Sequence, residues 1–248
     1  MTVEKVAVIS DVHGNRWALE VVLGDIERRD IAVIFNLGDC LYGPLDPAGT
    51  AELLLARVMP TVRGNEDRII ADLGDEAEPG STLRFVREQL APAQLDFLLS
   101  LPLIRKEGDF LLCHGTPASD EEYLLREVTE AGLGIRAREA VAGRIAGARS
   151  RIVLCGHDHL PGRLVLDDGC LVVNPGSVGL PAYTDDVPYP HEVENGSPHA
   201  RYCVMEKDES GWGVESIQLD YDWRAAAETA RRRGRPDWAH WLATGRTA

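Results

Sequence analysis

The strongest constraint on this chain is a join that recurs along it, in which an apolar, strand-like run passes straight into a residue able to hold a metal. Ile9 leads into Asp11 and His13, Leu37 into Asp39, Val62 into Asn65, Cys113 into His114, and Cys155 into His157 and His159. In layered α/β proteins the carboxyl ends of strands converge on one crevice, and ligands bind there. The donors are therefore expected to meet at one sheet edge. Glycines stand beside them, Gly38 and Gly64 among them, where a Cβ would obstruct close approach of the backbone. His157 and His159 follow a strand with one residue between them, so both imidazoles can point to the same side while Asp158 points away.

The segments between these joins set the fold class. Short β-branched runs alternate with helix-period segments: a strand at Val6 to Ile9, a helix from Arg16 to Arg29, a strand at Ile31 to Leu37 and a helix across Thr50 to Val58. Further strands are predicted at Thr61 to Val62, Phe110 to Cys113, Ile152 to Cys155, Arg163 to Leu166, Cys170 to Val173, Arg201 to Met205 and Val214 to Leu219. Helices are predicted at Thr82 to Leu90, Pro92 to Leu99, Glu121 to Val128 and Ile135 to Ala146. Leu180 to Ala200 is rich in Pro, Asp, Gly and His without an apolar period and reads as a long loop. The tail, Asp222 to Leu242, reads as two short helices parted at Gly234-Arg235-Pro236, with Trp223, Trp238 and Trp241 packing it onto the body. No repeat or boundary divides the chain, so residues 1–248 are expected to form one α/β domain with residues 222–248 as its helical tail.

Composition narrows the function. With 44% hydrophobic and 27% charged residues in 248, one sizeable core is within reach. A formal charge of -14 repels polyanions, so general nucleic-acid binding is not expected; a small phosphate ester fits, because bound cations invert the field locally. Met1 to Ser10 lacks the basic and apolar regions of a leader, and no run is long enough to span a bilayer, so cytoplasm and no membrane partner are expected. Of the five cysteines, Cys113, Cys155, Cys170 and Cys203 sit in or beside apolar runs and are expected to pack as small hydrophobes.

The donor set holds two carboxylates, four imidazoles and one amide oxygen, with no thiolate. Such a set suits Mn²⁺, with Fe and Zn²⁺ as alternatives, and disfavours Ca²⁺. It is too large for one tetrahedral ion. It suffices for two ions about 3.5 to 4 Å apart if one carboxylate bridges them.

Asp11-Val12-His13-Gly14-Asn15, Gly38-Asp39, Gly64-Asn65, His114-Gly115 and Gly156-His157-Asp158-His159, in this order, resemble the calcineurin-like metallophosphoesterase family. Asn174-Pro175-Gly176-Ser177 is similar to a turn of its compact bacterial phosphodiesterase-like branch. The resemblance implies a four-layer αββα sandwich of two mixed β-sheets flanked by helices. It also implies one divalent ion on Asp11, His13, Asp39 and His159 and another on Asp39, Asn65, His114 and His157, with Asp39 bridging. Asp39, Asn65 and His114 would then be catalytic, and a metal-bridging hydroxide would attack the phosphorus of a phosphodiester or phosphoanhydride.

One block departs from the family pattern. Where the family often has Gly-Asn-His followed by an acid, this chain reads Gly64-Asn65-Glu66-Asp67, so the histidine that contacts substrate is missing. Glu66 would repel a phosphate dianion, which favours diesters or activated phosphoanhydrides. Asn15 and Glu66 are expected near the phosphate, and His191 or His199 is expected to reach over the cleft as a substitute proton donor. The rival readings are a phosphomonoesterase or protein phosphatase of the same family and a non-catalytic metal-binding scaffold of the same fold. A serine hydrolase at Ser177 is disfavoured, since Pro175 stands where a nucleophile elbow needs glycine. A contact between copies of the chain through the tail tryptophans is left open.

Overall fold

Alternation along β1 (Lys5–Ile9) sets the layering of the molecule. Ala7 and Ile9 join a core beneath helices, whereas Val6 and Val8 join a second core between two sheets. A strand covered on both faces must be apolar on both. In the other sheet, β4 (Phe110–Cys113) repeats the pattern: Phe110 and Leu112 enter the shared core, while Leu111 and Cys113 face a third core that includes Val141 and Ile145 of α6 (Arg138–Ile145).

This computed structural model describes residues 5–72, 77–148, 150–209 and 211–248. Met1 to Glu4, part of the stretch read above for a leader, lie outside the described residues. The first sheet has the order β13 (Gly211–Leu219), β12 (Ala200–Asp208), β1, β2 (Val33–Asn36), with β1 and β2 parallel and the other pairs antiparallel. The second has the order β3 (Ile104–Glu107), β4, β7 (Ile152–Leu154), β9 (Leu171–Asn174), β8 (Gly162–Val165), parallel from β4 to β9 and antiparallel at both edges. Outside the first sheet lie α1 (Arg16–Arg28), α2 (Pro47–Leu55), α7 (Trp223–Arg232) and α8 (Pro236–Thr244), which share its outer core. Helix, sheet, sheet, helix is the expected sandwich of two mixed sheets.

The strands end where the donors begin. β1 stops at Ile9, β2 at Asn36, β4 at Cys113 and β7 at Leu154, so their exits deliver residues 11, 39, 114 and 157 to neighbouring places on one edge. Thr61 adds an isolated parallel bridge to Asn36, which brings the chain to α3 (Asn65–Asp72) from the same edge.

Three expected elements are different. Glu121 to Val128 is not helical: Leu124 and Leu125 are buried in extended chain, and β5 (Arg126–Thr129) pairs with β6 (Gly132–Ile135) as a hairpin. The buried Arg136 fixes this turn of chain by donating to the Tyr123 and Arg126 carbonyls, an arrangement a helix would have closed to it. The expected Ile135 to Ala146 helix accordingly shrinks to α6. Leu180 to Ala200 is also more ordered than a loop, since β10 (Ala182–Asp185) and β11 (His191–Glu194) form a hairpin that buries Ala182, His191 and Val193. All five cysteines are buried free thiols. Among the described residues no helix is long and apolar enough to cross a membrane.

Candidate metal centre

The backbone at the strand exits is bent in an uncommon way. Asp11, His13, Asp39, His157 and His159 all have positive φ, between 52° and 70°, and Asp30 is the one other described non-glycine residue that does. For such residues this region costs on the order of 1–3 kcal/mol each, so it persists where surrounding structure enforces it. The enforcement is visible: Asp11 N donates to Gly38 O and His13 N to Asp39 O, each at 3.0 Å, tying the exit of β1 to that of β2. A Cβ on Gly64 would lie 2.0 Å from Asp39 Oδ1, so only glycine lets the two loops approach this closely.

Three imidazoles are oriented by backbone carbonyls. His114 Nδ1 lies 2.8 Å from Leu37 O, His159 Nδ1 2.8 Å from Leu180 O and His13 Nδ1 3.2 Å from Tyr42 O. A carbonyl oxygen accepts only, so each Nδ1 carries a proton, and each ring, once neutral, turns its Nε2 lone pair inward. Those lone pairs meet further acceptors: His13 Nε2 is 3.0 Å from His159 Nε2, and His114 Nε2 is 3.1 Å from Asn65 Oδ1 and 3.3 Å from Asp39 Oδ2. Acceptors facing acceptors in a buried site repel unless protons or a cation lie between them. Among the described residues, groups able to hold an ion are Asp11 with His13 and His159, Asp39 with His114 and His157, and His13 with Asp39 and Glu66. The first two groups divide as the two expected sets do. Asp39 adjoins both His13 and His114, the position a bridge requires. The residues present therefore fit a pair of divalent cations, with Nδ1–H bonds of the kind that fix ligand histidines.

Charge among the donors is divided unevenly. Burial alone would lower His114, but Asp39 and Asp11 more than offset it and bring it up to about 10. Burial likewise opposes His13, which Glu66 and the two aspartates raise to about 9. Burial takes His157 down to about 4 and His159 well below its usual value, aided by their histidine neighbours. For Asp11, burial dominates and raises the carboxyl to about 6; for Asp39, burial is outweighed by His114 and His13, which hold it below the usual carboxylate range.

A pH effect follows. His13 and His114 bind protons more tightly folded than unfolded, so their contribution to the metal-free chain is complete below 6.5 and is lost as pH rises through about 9 and 10. His157 and His159 titrate below that interval. Thermal unfolding in chelator should therefore shift to lower temperature between about pH 7 and pH 10, whereas a Mn²⁺-loaded chain, its protons already displaced, should change little near neutrality. A chelated chain whose melting temperature climbs over the same interval would contradict this charge distribution.

The expected substrate contacts divide. Glu66 lines the cleft; its Oε2 is 2.9 Å from His13 Nδ1, and its backbone N–H donates to Asp39 Oδ1 at 3.0 Å. Burial, only partly countered by His13, raises its carboxyl to about 7. Asn15 does not line the cleft. It is fully buried, its Oδ1 caps α1 by accepting from Ala18 N, and its Nδ2 donates to Gly179 O and Tyr221 Oη, so its amide has no group left for a phosphate. Asn15→Ala should lower stability by about 2 kcal/mol and leave KM within twofold, which denaturant melts and steady-state kinetics would check. His191 is buried in β11, with Nδ1 near Tyr189 O and Nε2 2.9 Å from Tyr123 Oη, so Tyr123 stands between it and the cleft. His199 lies beside Ser197 Oγ at 3.0 Å and is not part of the lining either.

Residues to which the sequence reading gave no role at the site complete it. The Asp67 carboxylate accepts from Asp39 N, Cys40 N and Gly64 N at 2.8, 2.9 and 3.1 Å, holding the Asp39 turn. Tyr183 Oη donates to His157 O at 3.1 Å and sits 2.6 Å from Tyr123 Oη. These two tyrosines, Tyr42, Arg235, Trp238 and Trp241 line a cleft of about 260 Å³ against the donors. Only Asp67, adjacent to the Asn65-Glu66 block, carried a usable signal; the others come from elements distant in sequence.

Residues 5–193 match the family model described as the calcineurin-like phosphoesterase superfamily domain. A protein of Methanocaldococcus jannaschii described as uncharacterized is 28% identical over 264 residues, covering 96% of each chain. The crystal structure of a metallophosphoesterase from Sphaerobacter thermophilus superposes with a TM-score of 0.76 at 26% identity, covering 98% of this chain and all of that one.

Proposed function

Since the chain belongs to the calcineurin-like phosphoesterase superfamily, we propose that it hydrolyses a phosphodiester or phosphoanhydride with two divalent metal ions, Mn²⁺ suiting the donor set best. The observation that carries the reading is the convergence of backbone-anchored Nε2 lone pairs with carboxylate oxygens in one buried cluster. When bound, such an ion pair supplies Lewis acidity and brings the pKa of water near neutrality. Asp11, His13 and His159 would hold one ion and Asn65, His114 and His157 the other, with Asp39 shared.

The protein's own part is positioning and exclusion. Leu37, Leu180 and Tyr42 carbonyls keep the three rings aimed without using the lone pairs that bind. His157 and His159 stay neutral at physiological pH and are ready to coordinate, while His13 and His114 must release protons first. Metal affinity therefore rises with pH. Glu66 places a carboxyl where it is held beside His13, and a negative charge there disfavours a dianionic monoester more than a monoanionic diester.

The test is to purify the protein, measure its metal content, and compare hydrolysis of a phosphodiester, a phosphomonoester and a dinucleoside polyphosphate with added Mn²⁺. Activity that chelation abolishes and Mn²⁺ restores is expected. Activity indifferent to chelation would end the metal reading, and a tenfold preference for the monoester would end the inference drawn from Glu66.

A further inference from the structure

The cleft has two walls of different origin. One is formed by residues within the matched span 5–193; the other comes from α8, which lies beyond that span and contributes Arg235, at its N-terminal boundary, with Trp238 and Trp241. α8 is docked directly against the donors. Trp238 is 3% exposed and meets the His13 ring edge-on at 6.0 Å, and a Cβ at Gly43 would come within 2.9 Å of it.

Arg235 is the permanent cation of this lining, whereas Glu66 and Asp185 are carboxyl groups outside the expected ligand set. The guanidinium is held in place: Nε and Nη2 donate to Asp237, Nη1 donates to Thr82 Oγ1, and the group lies 5.5 Å from the Trp238 ring. Of the five N–H donors of an arginine, these bonds engage one each on Nε, Nη1 and Nη2, leaving one on Nη1 and one on Nη2. Such a pair can receive two oxygens of one phosphate, and prior fixation by Asp237 and Thr82 lowers the entropy cost of doing so.

We propose that α8 is the substrate-selecting wall of the cleft and that Arg235 takes a second anionic group, a phosphate other than the one that reacts. Resting on the phosphoesterase reading above, this makes the substrate class a phosphoanhydride or ester that carries at least one further phosphate. A simple diester would leave Arg235 without a ligand partner in a lining it shares with the Glu66 and Asp185 carboxyl groups. Arg235 would then set KM among substrates, with the donors setting the rate.

The test is calorimetric binding of two non-hydrolysable probes to the Mn²⁺-loaded full chain at fixed free Mn²⁺: methylphosphonate, with one anionic group, and methylenediphosphonate, with two. Wild-type protein is expected to prefer the diphosphonate, and Arg235→Ala should weaken it about tenfold to a hundredfold while leaving methylphosphonate within twofold. Arg235→Lys, which keeps the charge without the fork, should recover part of the loss, and unchanged melting temperatures would show that α8 stays docked. Equal weakening of both probes, or of neither, would overturn the proposal. A wild-type protein that turns over no phosphoester yet keeps the Arg235-dependent preference would remove the phosphoesterase reading and retain the anion site; turnover without that preference would do the reverse.

Discussion

Asp39→Asn is expected to lower kcat/KM by about a thousandfold and to reduce the metal content of the purified chain. Asp39 is the residue that adjoins both halves of the cluster, with Oδ2 3.3 Å from His114 Nε2 and Oδ1 accepting from Glu66 N at 3.0 Å. Asparagine has nearly the same shape, so the fold should tolerate it, but it has one oxygen where the carboxylate has two. With its oxygen kept toward Glu66 N, its amide would present N–H groups to the place where a cation is expected. With the amide turned round, two donors would face each other at Glu66. Losing one negative charge between two cations forfeits several kcal/mol of Lewis-acid positioning, and each 1.36 kcal/mol is tenfold in rate. Elemental analysis and steady-state kinetics decide the matter: two ions per chain with activity within tenfold of wild type would reject a shared role for Asp39.

How far the sequence announced this arrangement depends on the range of the interaction. Asp11, His13, Asp39, His114, His157 and His159 were legible because strand periodicity and the donor after each strand are local patterns, and topology carries them to one edge. The four layers were legible for the same reason, since Val6 and Val8 against Ala7 and Ile9 spell out a strand with two apolar faces. The β5–β6 hairpin was not, because the apolar spacing of Leu124 and Leu125 resembles a helix, and the deciding contacts come from Arg136. The β10–β11 hairpin was hidden by a loop-like composition; its support comes from burial of Val193 and His191 against distant chain. Asn15 illustrates a different limit. Its place in the Asp11-Val12-His13-Gly14-Asn15 block invited a chemical role, yet the partners that use up its amide are Gly179 and Tyr221, more than 160 residues away in sequence. The wall made by α8 could not be read at all, as nothing local to Arg235 tells that it lines the same cleft as His13.

Asp67→Ala should be the most damaging change outside the donor set. The Asp67 carboxylate is fully buried and accepts three backbone N–H groups, those of Asp39, Cys40 and Gly64. Alanine leaves all three without a partner, and an orphaned buried donor costs about 1–3 kcal/mol. Because the three share one turn and relax together, a loss on the order of 3–5 kcal/mol is expected, or roughly a 10 °C fall in melting temperature for a chain of this size. Asp67→Asn, which keeps one acceptor oxygen, should lose less. The consequence for the site is separate from stability. Asp39 sits at φ 52°, a conformation its neighbours must enforce, and Asp67 supplies the bonds that do so on both sides of it. Metal affinity of the folded variant should therefore drop about tenfold to a hundredfold, as it does when the outer partners of metal ligands are removed. Competition with a calibrated chelator below the variant's melting temperature measures that drop by itself. An Asp67→Ala protein that melts lower but binds Mn²⁺ as tightly as wild type would show that the Gly38-Asp39 turn holds its shape without this carboxylate.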